Sequence, residues 1–218
     1  MYFASRVAAG KILAEKIVQR YKDEQCAVVA LSDGSVMVAA QVAVRLQALL
    51  CMLLVQPIEL PREGMPIGGI AEDGSFAYNG LYSPGEIEDL VSEYRGYIEQ
   101  EKENRLSEMH RLLGGGGLIR KDLLENKVVI LVSDGLSSGF SLDVAAEFLK
   151  TVHYKKLVVA TTLASVPAVD RMHVLADDIY CLNVIEDFIS VDHYYDTRDV
   201  PSHDMIVKTI EQITQHWK

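Results

Sequence analysis

The sequence predicts an α/β fold built on a five-stranded parallel sheet, and three observations carry that expectation. Five short apolar runs, near residues 26–31, 50–56, 128–132, 156–164 and 178–184, show no polar alternation, as strands covered on both faces do. Segments with apolar residues at helical spacing lie between them. Asp73-Gly74, set between two β-prone stretches, marks one antiparallel excursion.

Each element has its own signal. Ser5 is placed to cap a helix with Val7, Ala8, Ile12, Leu13 and Ile17 on one face, and Cys26 to Leu31 follows as a buried strand. Ser32, Asp33, Gly34 and Ser35 then read as a loop before a buried helix that opens at Val36, and Leu50 to Gln56 reads as the second strand. Residues 66–80 form the hairpin insertion. Ser83-Pro84-Gly85-Glu86 is a capping box with proline at the first helical position, opening a charged helix that runs to Leu113. Gly114, Gly115, Gly116 and Gly117 end it. Val128 to Val132 is the most apolar strand, and Leu142 to Val152 the helix behind it. Lys156 to Ala164 and Asp178 to Val184 complete the sheet around a short helix, and residues 185–218 supply a hood and a C-terminal helix.

Composition narrows the function. With 218 residues, 49% of them hydrophobic, the chain suits one domain with a full core. A net charge of −10 argues against nonspecific nucleic-acid binding, which needs clustered Lys and Arg. No apolar run approaches the roughly 20 residues of a membrane span. The amphipathic opening stretch lacks the apolar segment of a signal peptide, so a cytoplasmic protein is expected. Cys26, Cys51 and Cys181 sit in apolar runs with no CxxC pair and read as core residues. The histidines show no metal-ligand spacing, so no protein-held metal site is expected.

The chemistry concentrates after the third parallel strand. Its carboxyl end delivers Ser133 and Asp134 to the rim of the sheet, and Gly135 to Ser141 turns into a helix. The first N–H groups of a helix have no internal partner and meet the positive end of its dipole, so an anion is favoured there. Ser137, Ser138 and Ser141 add hydroxyls and Gly139 permits close approach, which together make a cradle for a monophosphate. Asp134, a few residues upstream, would face sugar hydroxyls attached to that phosphate.

These residues resemble the signature of the type I phosphoribosyltransferases: a hydrophobic strand, two acids, a short spacer and Thr-Gly-x-Thr/Ser. Here the pattern is VVILV, Ser133-Asp134, Gly135-Leu136-Ser137 and Ser138-Gly139-Phe140-Ser141. The likeness is strongest to a bacterial branch of that family. Phe3, Arg6, Ala9, Gly10, Leu13 and Ala14 match an N-terminal segment of the branch, Pro66 to Gly74 a second, and Phe188, Val191 and Tyr195 a third.

The resemblance implies a type I phosphoribosyltransferase fold and roles for particular residues. Asp134 with Ser133 would be the catalytic pair at the ribose of phosphoribosyl pyrophosphate (PRPP), and Ser137 to Ser141 would hold its 5′-phosphate. Ser32, Asp33, Gly34 and Ser35 would face the pyrophosphate with Mg²⁺ bridging its oxygens. Arg111 and Gly114 to Gly117 would form a mobile loop over the reacting centre. Asp192, His193 and Tyr194 would meet the base, and the resemblance also implies a homodimer.

Two positions depart from the pattern. Ser133 replaces the first acid, and Asp33 stands where the branch carries arginine. Three functions therefore remain open: transfer of a phosphoribosyl group to or from a nitrogenous base, nucleotide or PRPP binding by a catalytically degenerate regulator or partner subunit, and an unrelated α/β binder.

Overall fold

The computed structural model describes residues 3–113 and 119–215. The parallel sheet contains β1 (Cys26–Ala30), β2 (Leu49–Met52), β6 (Val128–Ser133), β7 (Lys156–Ser165) and β8 (Asp178–Ile185), in the order β2-β1-β6-β7-β8. Every pairing within it is parallel. The central strand β6 is buried at all six residues, as its unbroken apolar run requires.

Among the described residues, six α-helices accompany the strands. Helix α1 (Arg6–Tyr21) is capped by Ser5, whose hydroxyl accepts from the Ala8 N–H at 3.0 Å. Its Gly10 allows close packing on α2 (Asp33–Leu46), because a Cβ there would lie 2.9 Å from the Val38 backbone. The expected capping box opens α3 (Pro84–Leu113): the Ser83 N–H donates to the Glu86 carboxylate at 2.7 Å, and the Glu86 N–H to the Ser83 hydroxyl at 3.3 Å. Tyr94 interrupts α3 with a non-helical backbone. Helix α4 (Phe140–Leu149) follows β6, α5 (Val166–Leu175) follows β7, and α6 (His203–Gln215) lies against α2 and β2.

Two expectations are corrected. Residues 32–35 are not a free loop: Ser32 caps α2, and Asp33, Gly34 and Ser35 form its first turn. Asp33 there complements the helix dipole. The single strand expected at Leu50 to Gln56 is divided between two sheets. β2 ends at Met52, and β3 (Val55–Ile58) pairs antiparallel with β4 (Gly68–Ala71), which pairs with β5 (Phe76–Tyr78). The apolar run crosses from one sheet to the other through buried Leu53 and Leu54, so composition alone conceals the break.

The small sheet lies on α4, where Gly69 is so close that a Cβ would meet the Phe140 ring at 3.0 Å. The turn at Asp73-Gly74 is as expected, with Gly74 at φ 85°. Glu72 is buried beside it and accepts from the Leu54 N–H at 3.3 Å and the Ile119 N–H at 2.7 Å.

Candidate functional site

The carboxyl end of β6 is held by its neighbour β7. The Leu136 N–H donates to the Leu163 carbonyl at 2.9 Å, and the Ser165 N–H to the Leu136 carbonyl at 2.9 Å. The Ser165 hydroxyl donates to the Ser137 carbonyl at 2.6 Å and caps α5 by accepting from Ala168. Gly139 then enters α4 at φ 81°, a conformation that favours glycine. No side chain caps α4 there; the Leu142 N–H turns back to the Gly139 carbonyl at 2.9 Å, which leaves the N–H groups of Phe140 and Ser141 to meet an acceptor. Among the described residues, the hydroxyls of Ser137, Ser138 and Ser141 make no hydrogen bond. The Phe140 ring packs toward Gly69, so this residue offers the cradle only its backbone.

Asp134 is in a different situation. Its Oδ2 accepts from Arg6 Nε at 2.7 Å, and its Oδ1 accepts from the hydroxyls of Ser35 at 2.9 Å and Ser32 at 3.1 Å. The Asp134 carbonyl accepts from Thr162 and from the Tyr195 hydroxyl, each at 2.7 Å. Arg6 also reaches Asp192 at 2.5 Å and Asp199 at 3.5 Å, and its guanidinium lies 4.5 Å from the centre of the Tyr195 ring. Burial works against the charge of Arg6, but Asp192 and Asp134 outweigh it and hold the guanidinium above its usual pKa. Burial likewise pushes the Tyr195 hydroxyl upward, so it serves as a neutral donor.

Gly34 makes this arrangement possible. A Cβ at that position would lie 2.3 Å from Asp134 Oδ2 and 2.9 Å from Arg6 Nε. Ser133, on the same strand end, turns to its own loop: its hydroxyl donates to the Gly135 carbonyl at 3.0 Å and lies 3.2 Å from the Gly135 nitrogen.

The remaining expected site residues are spread around this centre. Asp33 faces His203 of α6, with Nδ1 3.2 Å from its carboxylate. Asp192 joins the Arg6 network, while Tyr194 is buried and its hydroxyl donates to the Asp187 carbonyl at 3.1 Å. His193 is exposed, its ring edge-on to Tyr194. Arg111 is exposed near the end of α3, and Gly114 to Gly117 lie outside the described residues. Sequence reasoning missed the pairing of Arg6 with Asp134 and of Asp33 with His203. A buried arginine calls for an acid, but with 31 acids in the chain only the fold selects which one.

Comparison with known proteins adds to this geometry. No protein-family model matches the chain. Two curated proteins of Mycobacterium tuberculosis strains, each named "Putative phosphoribosyl transferase", are 26% identical over 212 residues, covering 96% of this chain. In sequence the chain is phosphoribosyltransferase-like. This phosphoribosyltransferase-like chain spans about half the length of those relatives, 46%. The crystal structure of TT1426 from Thermus thermophilus is similar throughout, with 26% identity, a TM-score of 0.72, and coverage of 100% of this chain and 99% of that one. The five-stranded parallel sheet, with a separate small antiparallel sheet, is the α/β architecture that the sequence led us to expect.

Proposed function

We propose that this phosphoribosyltransferase-like chain binds PRPP or a nucleoside 5′-monophosphate and transfers the phosphoribosyl group to or from a nitrogenous base. The observation that carries the reading is the uncapped start of α4 at Gly139, flanked by the unbonded hydroxyls of Ser137, Ser138 and Ser141. That combination suits a dianionic phosphate ester. The amino end of α2, at Ser32 to Ser35, would meet the pyrophosphate, and the segment of Asp192 to Tyr194 would meet the base.

Magnesium enters this reading with the substrate. Among the described residues no group of three or more His, Cys, Asp or Glu could hold a metal ion. The fitting ligands are the oxygens of PRPP itself, whose pyrophosphate charge Mg²⁺ would neutralise as it leaves. We propose a homodimer as the working assembly.

The test is calorimetric titration with PRPP and Mg²⁺, beside ribose 5-phosphate and AMP. Magnesium-dependent binding of PRPP, tighter than that of ribose 5-phosphate, is the expected result and leads directly to a screen of bases for turnover. Binding of the monophosphates alone would overturn transfer and leave a nucleotide-binding regulator. Absence of all binding would overturn the cradle.

A further inference from the structure

We infer that His203, the first residue of α6, is a positioning residue for the pyrophosphate: it binds Asp33 and offsets the carboxylate that stands at the amino end of α2. The inference rests on the proposed binding of PRPP and names the residue that lets that end of the site receive an anion.

The amino end of a helix favours negative charge, and Asp33, in the first turn of α2, already presents one there. Its side chain is 38% exposed, so this charge faces the solvent from which a pyrophosphate would come. Like charges repel more strongly where water is partly excluded. A pyrophosphate would therefore meet α2 poorly unless another group engaged the carboxylate.

His203 engages it. Its Nδ1 lies 3.2 Å from Asp33 Oδ1, and because a carboxylate only accepts, that nitrogen carries a proton and donates. In its protonated form the ring also cancels the charge of the carboxylate, which leaves the helix end to favour the ligand. The contact joins residues 170 apart in the chain, and packing fixes it: α6 lies against α2 and β2, with Ile206 fully buried and Ile210 and Ile213 against the core. The His203 side chain is 19% exposed, and its Nε2 is buried with no partner among the described residues. Asp33 is thus the one hydrogen-bond partner that holds this ring among those residues. The proposed 5′-phosphate cradle belongs to another helix, α4, so the effect of His203 is confined to the pyrophosphate.

Calorimetric titration of the full chain with PRPP and Mg²⁺, and separately with ribose 5-phosphate, tests this on the parent, on His203→Ala and on the double variant His203→Ala with Asp33→Asn. His203→Ala should weaken PRPP binding about tenfold and leave ribose 5-phosphate within about twofold of the parent. The double variant should return PRPP to within about threefold of the parent, because the charge to be offset is gone. Equal losses for both ligands would reveal a structural role only, and a loss that Asp33→Asn fails to restore would show that the carboxylate is not its cause; either result overturns the inference, as does an unchanged affinity in His203→Ala. Should His203→Ala fail to fold, Asp33→Asn alone decides: PRPP should bind it more tightly than the parent, and equal or weaker binding overturns the inference. A parent chain that binds PRPP no more tightly than ribose 5-phosphate would instead remove the proposed pyrophosphate contact, and this inference with it.

Discussion

Arg6 Nε donates to Asp134 Oδ2 at 2.7 Å, and the two side chains are only 3% and 8% exposed. Such a pair is costly to break from one side, because the surviving charge stays buried without compensation. Replacement of Arg6 by Met should cost about 3–5 kcal/mol in urea unfolding. The double variant Arg6→Met with Asp134→Asn should be more stable than Arg6→Met alone, as the orphaned carboxylate is gone. A double variant less stable than Arg6→Met would show that the pair is not coupled in this way.

The glycines make a sharper test of the cradle. Gly139→Ala forces a Cβ onto a residue at φ 81°, 3.1 Å from the Arg171 Cβ, and should cost about 1–2 kcal/mol and weaken ribose 5-phosphate binding at least about tenfold. Gly85→Ala, in the first turn of α3, has nothing within 4 Å of its new methyl group. It should stabilise by about 0.5–1 kcal/mol and leave binding unchanged. Thermal melting and calorimetry on both variants check the contrast.

Asp178 gives a dependence on pH. Burial works against its charge, but hydrogen bonds from Tyr21 and Lys156 outweigh it and hold the carboxyl below its usual pKa. A depressed acid stabilises the fold above its ordinary value of about 3.9 and loses that contribution as the pH falls through the depressed value. Asp178→Asn should therefore lower stability by about 1–2 kcal/mol at pH 7, a figure kept small because Arg20 and Lys156 are screened by solvent. The difference from the parent should shrink as the pH falls below about 4. Denaturant midpoints from about pH 2.5 to about pH 7, which bracket the ordinary value, measure it.

Burial pushes the Cys51 thiol up to about 12 and the Cys26 thiol up to about 11. Since the thiolate is the nucleophile, neither should react with a disulfide reagent at pH 8 in the folded protein, and both should react at once in denaturant. Fast native labelling of either would contradict their packing.

Most of the fold was legible where one local rule decided the outcome. Ser5, the Ser83–Glu86 box, the Asp73-Gly74 turn and the apolar run at β6 each appear where capping, turn or burial chemistry places them. The division of residues 49–58 between two sheets was not legible, because both sheets bury the same kind of side chain. At the site, the Gly139 turn into α4 could be read because its glycine and serines are contiguous. The state of Asp134 could not, since its partners come from residues 6, 32 and 35, and a carboxylate free for a ligand has the same sequence as one already filled. Asp177 and Asp178 look like solvated charges in sequence. In the fold, Asp177 receives the Leu157 N–H at 2.8 Å, and Asp178 is bound by Tyr21, Arg20 and Lys156.

The Arg6 cluster also bears on how the chain reaches its native state. Its hydrogen bonds to Asp192 and Asp199 close separations of 186 and 193 residues, and the Phe3 N–H reaches the Tyr194 carbonyl across a similar span at 2.9 Å. Contacts of such high sequence separation form only after large loops have closed, which slows folding. While the chain emerges from a ribosome, the parallel sheet can begin to assemble and Asp134 can meet Ser32 and Ser35, but Arg6 lacks its partners Asp192 and Asp199 until that segment has been made. The centre around Arg6 is thus among the last parts to become dry, and a half-made chain carries its ion pair in water.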